Sequence, residues 1–122
     1  MSQRASLGKR AENLAKDYFL SHGFRILTRN FRCRIGELDL VVLDPDRTVV
    51  FVEVRARRSD RFGSPAESIN HKKQDKLLKL AAWYIQSRRL ENTLCRIDVV
   101  SVLIPEDGGP VNLHHIRNAI EP

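Results

Sequence analysis

Three acids and a base stand at spacings that bring them together. Glu37 and Asp39 lie two apart in Gly36-Glu-Leu-Asp-Leu-Val-Val-Leu43, and Glu53 and Arg55 lie two apart in Val49-Val-Phe-Val-Glu-Val-Arg55. Side chains two apart in a strand share a face. Both runs alternate, and the intervening Asp44-Pro-Asp-Arg-Thr48 is rich in turn formers, so the pair is expected to fold back as a β-hairpin. A turn centred on Asp46 sets residue 39 opposite residue 53 and residue 37 opposite residue 55, with all four groups on one face. The hydrophobic pattern favours this register, because a one-residue slip would turn the apolar set the wrong way.

Such a face carries tension. Opposed carboxylates destabilise a sheet, and charges among Val, Leu and Phe are costly to desolvate. A hard divalent cation, Mg²⁺ or Mn²⁺, would relieve it, since such ions take oxygen ligands and Mg²⁺ is often held by one or two carboxylates beside a phosphate. Glu37, Asp39 and Glu53 are the acids this face would offer such an ion. The bland alternative is a set of structural ion pairs, Glu37 with Arg55 and Asp39 with some other cation.

The rest of the chain supplies the frame. Leu7, Ala11, Leu14 and Tyr18 follow helical spacing from about Ser6, and Gly23 marks the stop. Glu12, beside that stripe, either reaches the hairpin or pairs with Lys9 or Lys16 in solvent. Phe24 to Asn30 has strand character. Arg32 and Arg34, with Arg29 and around Phe31, suit backbone phosphates and stacking, or else a solvated edge strand. Arg55, Arg57, Arg58 and Arg61 put four arginines in seven residues at the exit of the second hairpin arm, a candidate phosphate-gripping loop or a merely solvated one.

A second helix is expected from Ser68 or Asn70 to Arg88, burying Leu77, Leu80, Ala81, Tyr84 and Ile85. Lys72, Lys76 and Lys79 form a basic face, either solvated or lining nucleic acid. Lys73, in the first turn of the buried side, can reach the acids. Trp83 and Tyr84 read as core and rim in preference to a stacking platform. Residues 96–104 and a short segment from Val111 to Ile116 complete the strands. Asp98 reads as a structural partner for a helix N-terminus or for Arg96, in preference to a catalytic acid, and His114 and His115 face opposite sides, so they form no chelating pair.

A chain of 122 residues makes one domain with a real core. Its net charge of +6, from 21 Lys and Arg against 15 Asp and Glu, favours a polyanionic partner. Cys33 and Cys95 match no metal motif and read as reduced thiols, and no stretch resembles a signal peptide or a membrane span. A cytoplasmic protein with no membrane partner is expected.

These segments resemble a known family. Gly8 and Glu12, Gly23-Phe24, Asn30, Gly36-Glu-Leu-Asp-Leu40, Phe51-Val-Glu-Val-Arg55, Phe62-Gly-Ser-Pro-Ala66, Lys73, Arg96-Ile-Asp-Val-Val100 and His115-Ile-Arg-Asn-Ala119, in this order, resemble the YraN-like bacterial proteins. Those are similar to archaeal Holliday junction resolvases of the PD-(D/E)xK nuclease superfamily. The resemblance implies an α/β, restriction-endonuclease-like mixed sheet flanked by helices, in a single domain over residues 1–122. It implies divalent-metal-dependent cleavage of DNA, branched DNA included, with Asp39, Glu53, Arg55, Glu37 and Lys73 at the site and a homodimer where a symmetric junction is resolved. On that mechanism Asp39 and Glu53 ligate the cation, the Val54 carbonyl completes the inner shell, and Glu37 or Glu12 acts through water, Glu12 helping to organise the metal. Arg55 departs from the pattern, which has lysine there. Arg stays protonated and cannot serve as a general base, so a binding module that has lost turnover is the rival reading, and a protein-interaction scaffold the third.

Overall fold

Residues 49–53 are buried on both faces, as a central strand requires, and they belong to β3 (Val49–Arg57) of a five-stranded sheet. A computed structural model of the chain describes residues 3–59 and 69–120. The other elements are α1 (Gln3–Ser21), β1 (Arg25–Cys33), β2 (Gly36–Leu43), α2 (His71–Ser87), β4 (Cys95–Leu103) and β5 (Asn112–Ile120). The strands lie in chain order, antiparallel except for the parallel pair β3 and β4 that α2 connects. This is the expected α/β class with a mixed sheet.

One helix covers each face. Ala11, Ala15 and Phe19 of α1 pack on Leu40, Val42, Val50, Val52, Val100 and Val102. The two alanines let the helix approach the strands closely. Leu77, Leu80, Ala81 and Tyr84 of α2 pack on Leu38, Val41, Phe51, Ile97 and Val99 on the other side.

The hairpin register is the expected one. Leu40 faces Val52, Val41 faces Phe51 and Val42 faces Val50, and the turn is closed by Thr48 N–H donating to Asp46 Oδ1 at 2.9 Å and Asp46 N–H to Asp44 Oδ1 at 3.1 Å. Asn70, one of the two expected caps, caps α2, accepting from Lys73 N–H at 2.9 Å, and Ser68 lies outside the described residues. Gly23, at φ +84°, ends α1 as its spacing implied. Two boundaries differ from expectation. α1 begins at Gln3 instead of near Ser6, and β5 runs on to Ile120 because Ile116, Ala119 and Ile120 join the core beneath α2.

Candidate metal and phosphate site

The alternation of β2 breaks at Asp39. Leu38 belongs to the core under α2 and Leu40 to the core under α1, although they are two apart in one strand. The β2–β3 pairing ends at Leu40 and Val52, and beyond it the Asp39 carboxylate accepts from Val54 N–H at 2.9 Å. A side chain thus takes a backbone donor where the strands part. Val54 therefore meets the acids through its N–H.

The expected single face of four groups is corrected by this geometry. Glu12 of α1, Glu37 and Asp39 bring one carboxylate oxygen each within 4.8 Å of one another. Glu53 is not in that group; it projects on the α2 side, where Lys73 Nζ lies 3.5 Å and Arg55 Nη1 4.0 Å from its Oε1. Glu37 pairs with Arg32 at 3.2 Å instead of with Arg55. Asp39 stands electrostatically between the two sets, acting on Glu12 and on Glu53 alike.

Asn30 ties the first set together. In the orientation that satisfies its amide, Nδ2 donates to Glu12 Oε1 at 2.8 Å and to Glu37 Oε1 at 3.0 Å. Its backbone is left-handed, at φ +53°, which asparagine tolerates better than most residues. Reading by strand pattern missed it as a site residue. An asparagine inside a strand, a place where it is depleted, was the available signal.

The charges are held reluctantly. Burial pushes the Glu53 carboxyl up to about 7, Asp39 adds to the rise, and Lys73 and Arg55 only partly offset it. Asp39 is raised by burial against the lowering effect of the Val54 N–H, and Glu12 by burial and then by Asp39 and Glu37. Buried carboxylates that repel one another hold protons or bind a cation. The donor set is all oxygen, which suits Mg²⁺ or Mn²⁺ and not a thiolate-seeking metal.

A family model described as "Uncharacterised protein family UPF0102" matches residues 11–102. The chain belongs to that family. It is the YraN-like family of the sequence resemblance. A UPF0102 protein of Stutzerimonas stutzeri is 48% identical over 122 residues, covering 99% of each chain. One from Desulforamulus reducens is 40% identical over 119 residues, covering 97% of this chain and 98% of that one. Among solved structures, Pyrococcus furiosus SfsA in complex with Ca²⁺ aligns with a TM-score of 0.42 at 15% identity, over 98% of this chain and 65% of that one.

The cations expected on the UPF0102 chain are distributed unevenly about the acids. Lys73 is at the site. Lys76 lies over the β1–β2 turn, where a Cβ on Gly36 would stand 2.6 Å from its Cε. Arg32 is exposed near the end of β1 and Arg34 in the turn itself, and Lys72 is exposed at the start of α2. Arg58 instead donates to the Ile104 carbonyl at 3.2 Å, at the end of β4. Arg57 is half-buried beside Leu103, and Arg61 lies outside the described residues. Phe31 turns inward, its ring edge-on to Tyr84 at 5.2 Å. Trp83 is not core: it is 42% exposed. Both cysteines are free, and no described helix is long and apolar enough to cross a membrane.

A second group of charges lies toward the start of β4 and is arranged differently. Asp98, wholly buried, accepts from Arg96 Nε at 3.1 Å, from Asn118 N–H at 2.8 Å, and meets His115 Nε2 at 2.7 Å. His115 Nδ1 meets the Tyr18 hydroxyl at 2.9 Å, and Arg96 Nη2 donates to Asp44 at 2.9 Å. Burial alone would raise the Asp98 carboxyl, but these partners hold it below the usual carboxylate range. The structural role expected for Asp98 with Arg96 is the one observed.

Proposed function

We propose that this protein is a divalent-metal-dependent endonuclease that hydrolyses phosphodiester bonds in DNA, branched DNA included. The observation that carries the reading is the convergence of Glu12, Glu37 and Asp39 within 4.8 Å, with buried Glu53 beside them. Asp39 and Glu53 would hold the cation, Glu12 and Glu37 supporting it from the α1 side and the Val54 carbonyl adding a neutral oxygen. Mg²⁺ or Mn²⁺ there supplies Lewis acidity, acidifying water and neutralising charge that develops on the phosphoryl oxygens.

The chain's own groups do the rest. Asn30 and the Val54 N–H fix the carboxylates in place, as outer hydrogen bonds do for ligating groups. Arg55 keeps its charge and binds a phosphate oxygen; it removes no proton. Lys73, 3.5 Å from Glu53, is a cation that, unlike arginine, can exchange a proton within reach of the acids. The basic turn around Gly36, with Arg32, Arg34, Lys72 and Lys76, provides the positive rim a polyanion needs. The same Arg55, standing where the PD-(D/E)xK pattern has lysine, favours a second reading in which the protein binds DNA without cutting it.

The test is a panel of labelled branched, flapped, duplex and single-stranded DNAs incubated with Mg²⁺, Mn²⁺ or EDTA, with Asp39→Asn alongside. Cutting that needs the metal and disappears in the variant is expected. DNA binding without cutting under every condition would move the conclusion to the second reading. Absence of salt-sensitive binding would remove both.

A further inference from the structure

One face of α2 lies outside the core and runs from the rim of the acid site away from it. Lys72, Lys76, Lys79 and Trp83 follow one another at intervals of four, three and four residues. At 3.6 residues per turn they fall within about 60° of one another around the helix. All four are exposed. Tyr84, the next residue, turns inward and is 3% exposed. The stripe starts at the edge of the acids, because Lys73 beside Lys72 contacts Glu53, and Lys76 lies on Gly36, the residue before Glu37. It ends, about 16 Å along the helix, on an indole.

Lysines alone on a helix are a solvated face, and an exposed tryptophan alone is a contact of unspecified kind. Together, in line and leading from a carboxylate cluster, they have the composition of a surface that tracks a phosphate backbone and stacks on a base. A paired duplex offers no free base face along its length to such a ring. We propose that the stripe is a track for a single strand, with Lys72, Lys76 and Lys79 along its phosphates and Trp83 stacked on an unpaired base. At ~3.4 Å per nucleotide the track spans about five stacked nucleotides. The inference rests on the nuclease reading only for what happens at the acids, and it narrows the substrate to DNA with unpaired strand beside the cut.

Trp83 is the one tryptophan in the chain, so intrinsic emission reports on it directly. The whole protein, in EDTA to prevent cutting, would be titrated with oligothymidylate and with blunt duplex of equal length. Saturable quenching by the single strand is expected, stronger than by duplex, with a log–log salt slope of roughly −2 from three lysines. Trp83→Ala should weaken binding of a labelled single strand on the order of tenfold, and Trp83→Phe should restore most of it. Emission that stays constant while the labelled strand binds, equal quenching by duplex, or a Trp83→Ala protein that binds like the wild type would each overturn the track. So would emission that changes with protein concentration alone as light scattering reports a dimer, since a second copy would then cover the indole. Metal-dependent cutting without quenching would sink the track and leave the nuclease reading standing. Quenching without cutting under any metal would do the reverse.

Discussion

Asp98 and Glu53 are both buried acids on neighbouring strands, and the protein treats their charges in opposite ways. Asp98 is surrounded by Arg96, His115 and the Asn118 N–H, and its carboxyl is held below the ordinary range. Glu53 has Lys73 and Arg55 at 3.5 and 4.0 Å, yet burial and Asp39 lift it to about 7. Asp39 and Glu12 are raised as well. The first region spends its donors on making a charge comfortable and so stabilises the fold. Among the described residues the second leaves its carboxyls raised despite Lys73 and Arg55, an arrangement that costs stability and that functional sites share. Perturbed acids are therefore informative by the sign of the shift as well as by burial.

The contrast can be broken most forcefully at Asp98. Asp98→Ala should cost about 3–5 kcal/mol in urea unfolding, because Arg96, His115 and the Asn118 N–H lose their shared buried acceptor and Asp44 alone is left to Arg96; a loss below about 1 kcal/mol would dissolve the distinction. Glu53→Gln should act the other way in metal-free buffer at pH 8. Since the folded pKa of Glu53 exceeds its ordinary 4.5, the folded state holds the proton more tightly, and stability falls as pH rises from 4.5 to about 7. Glutamine removes that fall, a gain of at most on the order of 3 kcal/mol, with the stability-versus-pH curve flattened over that window.

Acid sharpens the same comparison. The stabilisation from Asp98 is complete above its ordinary pKa of 3.8 and is lost as pH falls from there through its lower folded value. Asp98→Asn should lack that loss on acid titration, whereas Glu53→Gln should keep it. The smallest effect is expected at Asn30. Asn30→Gly preserves the left-handed backbone and deletes the amide that bridges Glu12 and Glu37, so calorimetry should report Mn²⁺ binding weaker by roughly tenfold, with little change in the unfolding midpoint. Unchanged affinity would relegate Asn30 to a structural link.

Much of this arrangement was legible in the chain because it rests on local periodicity. The hairpin register followed from two alternating runs and one turn, and the α2 cap and buried stripe followed from Asn70 and Leu77, Leu80 and Tyr84. Glu12 and Lys73 were legible as site residues only through the family resemblance and their places on their helices. What could not be read was where alternation fails. The turn of β2 at Asp39 puts Glu37 with Glu12 and leaves Glu53 to Lys73, and no residue pattern in β2 announces it. The His115–Tyr18 contact spans 97 residues of sequence, so only the packed fold brings it together.

The most direct test of the central claim, that the acids around Asp39 are short of positive charge because they receive a cation, is thermal unfolding at pH 8 across a titration of Mg²⁺ or Mn²⁺. Wild-type protein should gain stability with metal concentration as a ligand that binds only the folded state requires, and Asp39→Asn should start more stable and gain nothing. No gain in the wild type, or an equal gain in Asp39→Asn, would contradict it.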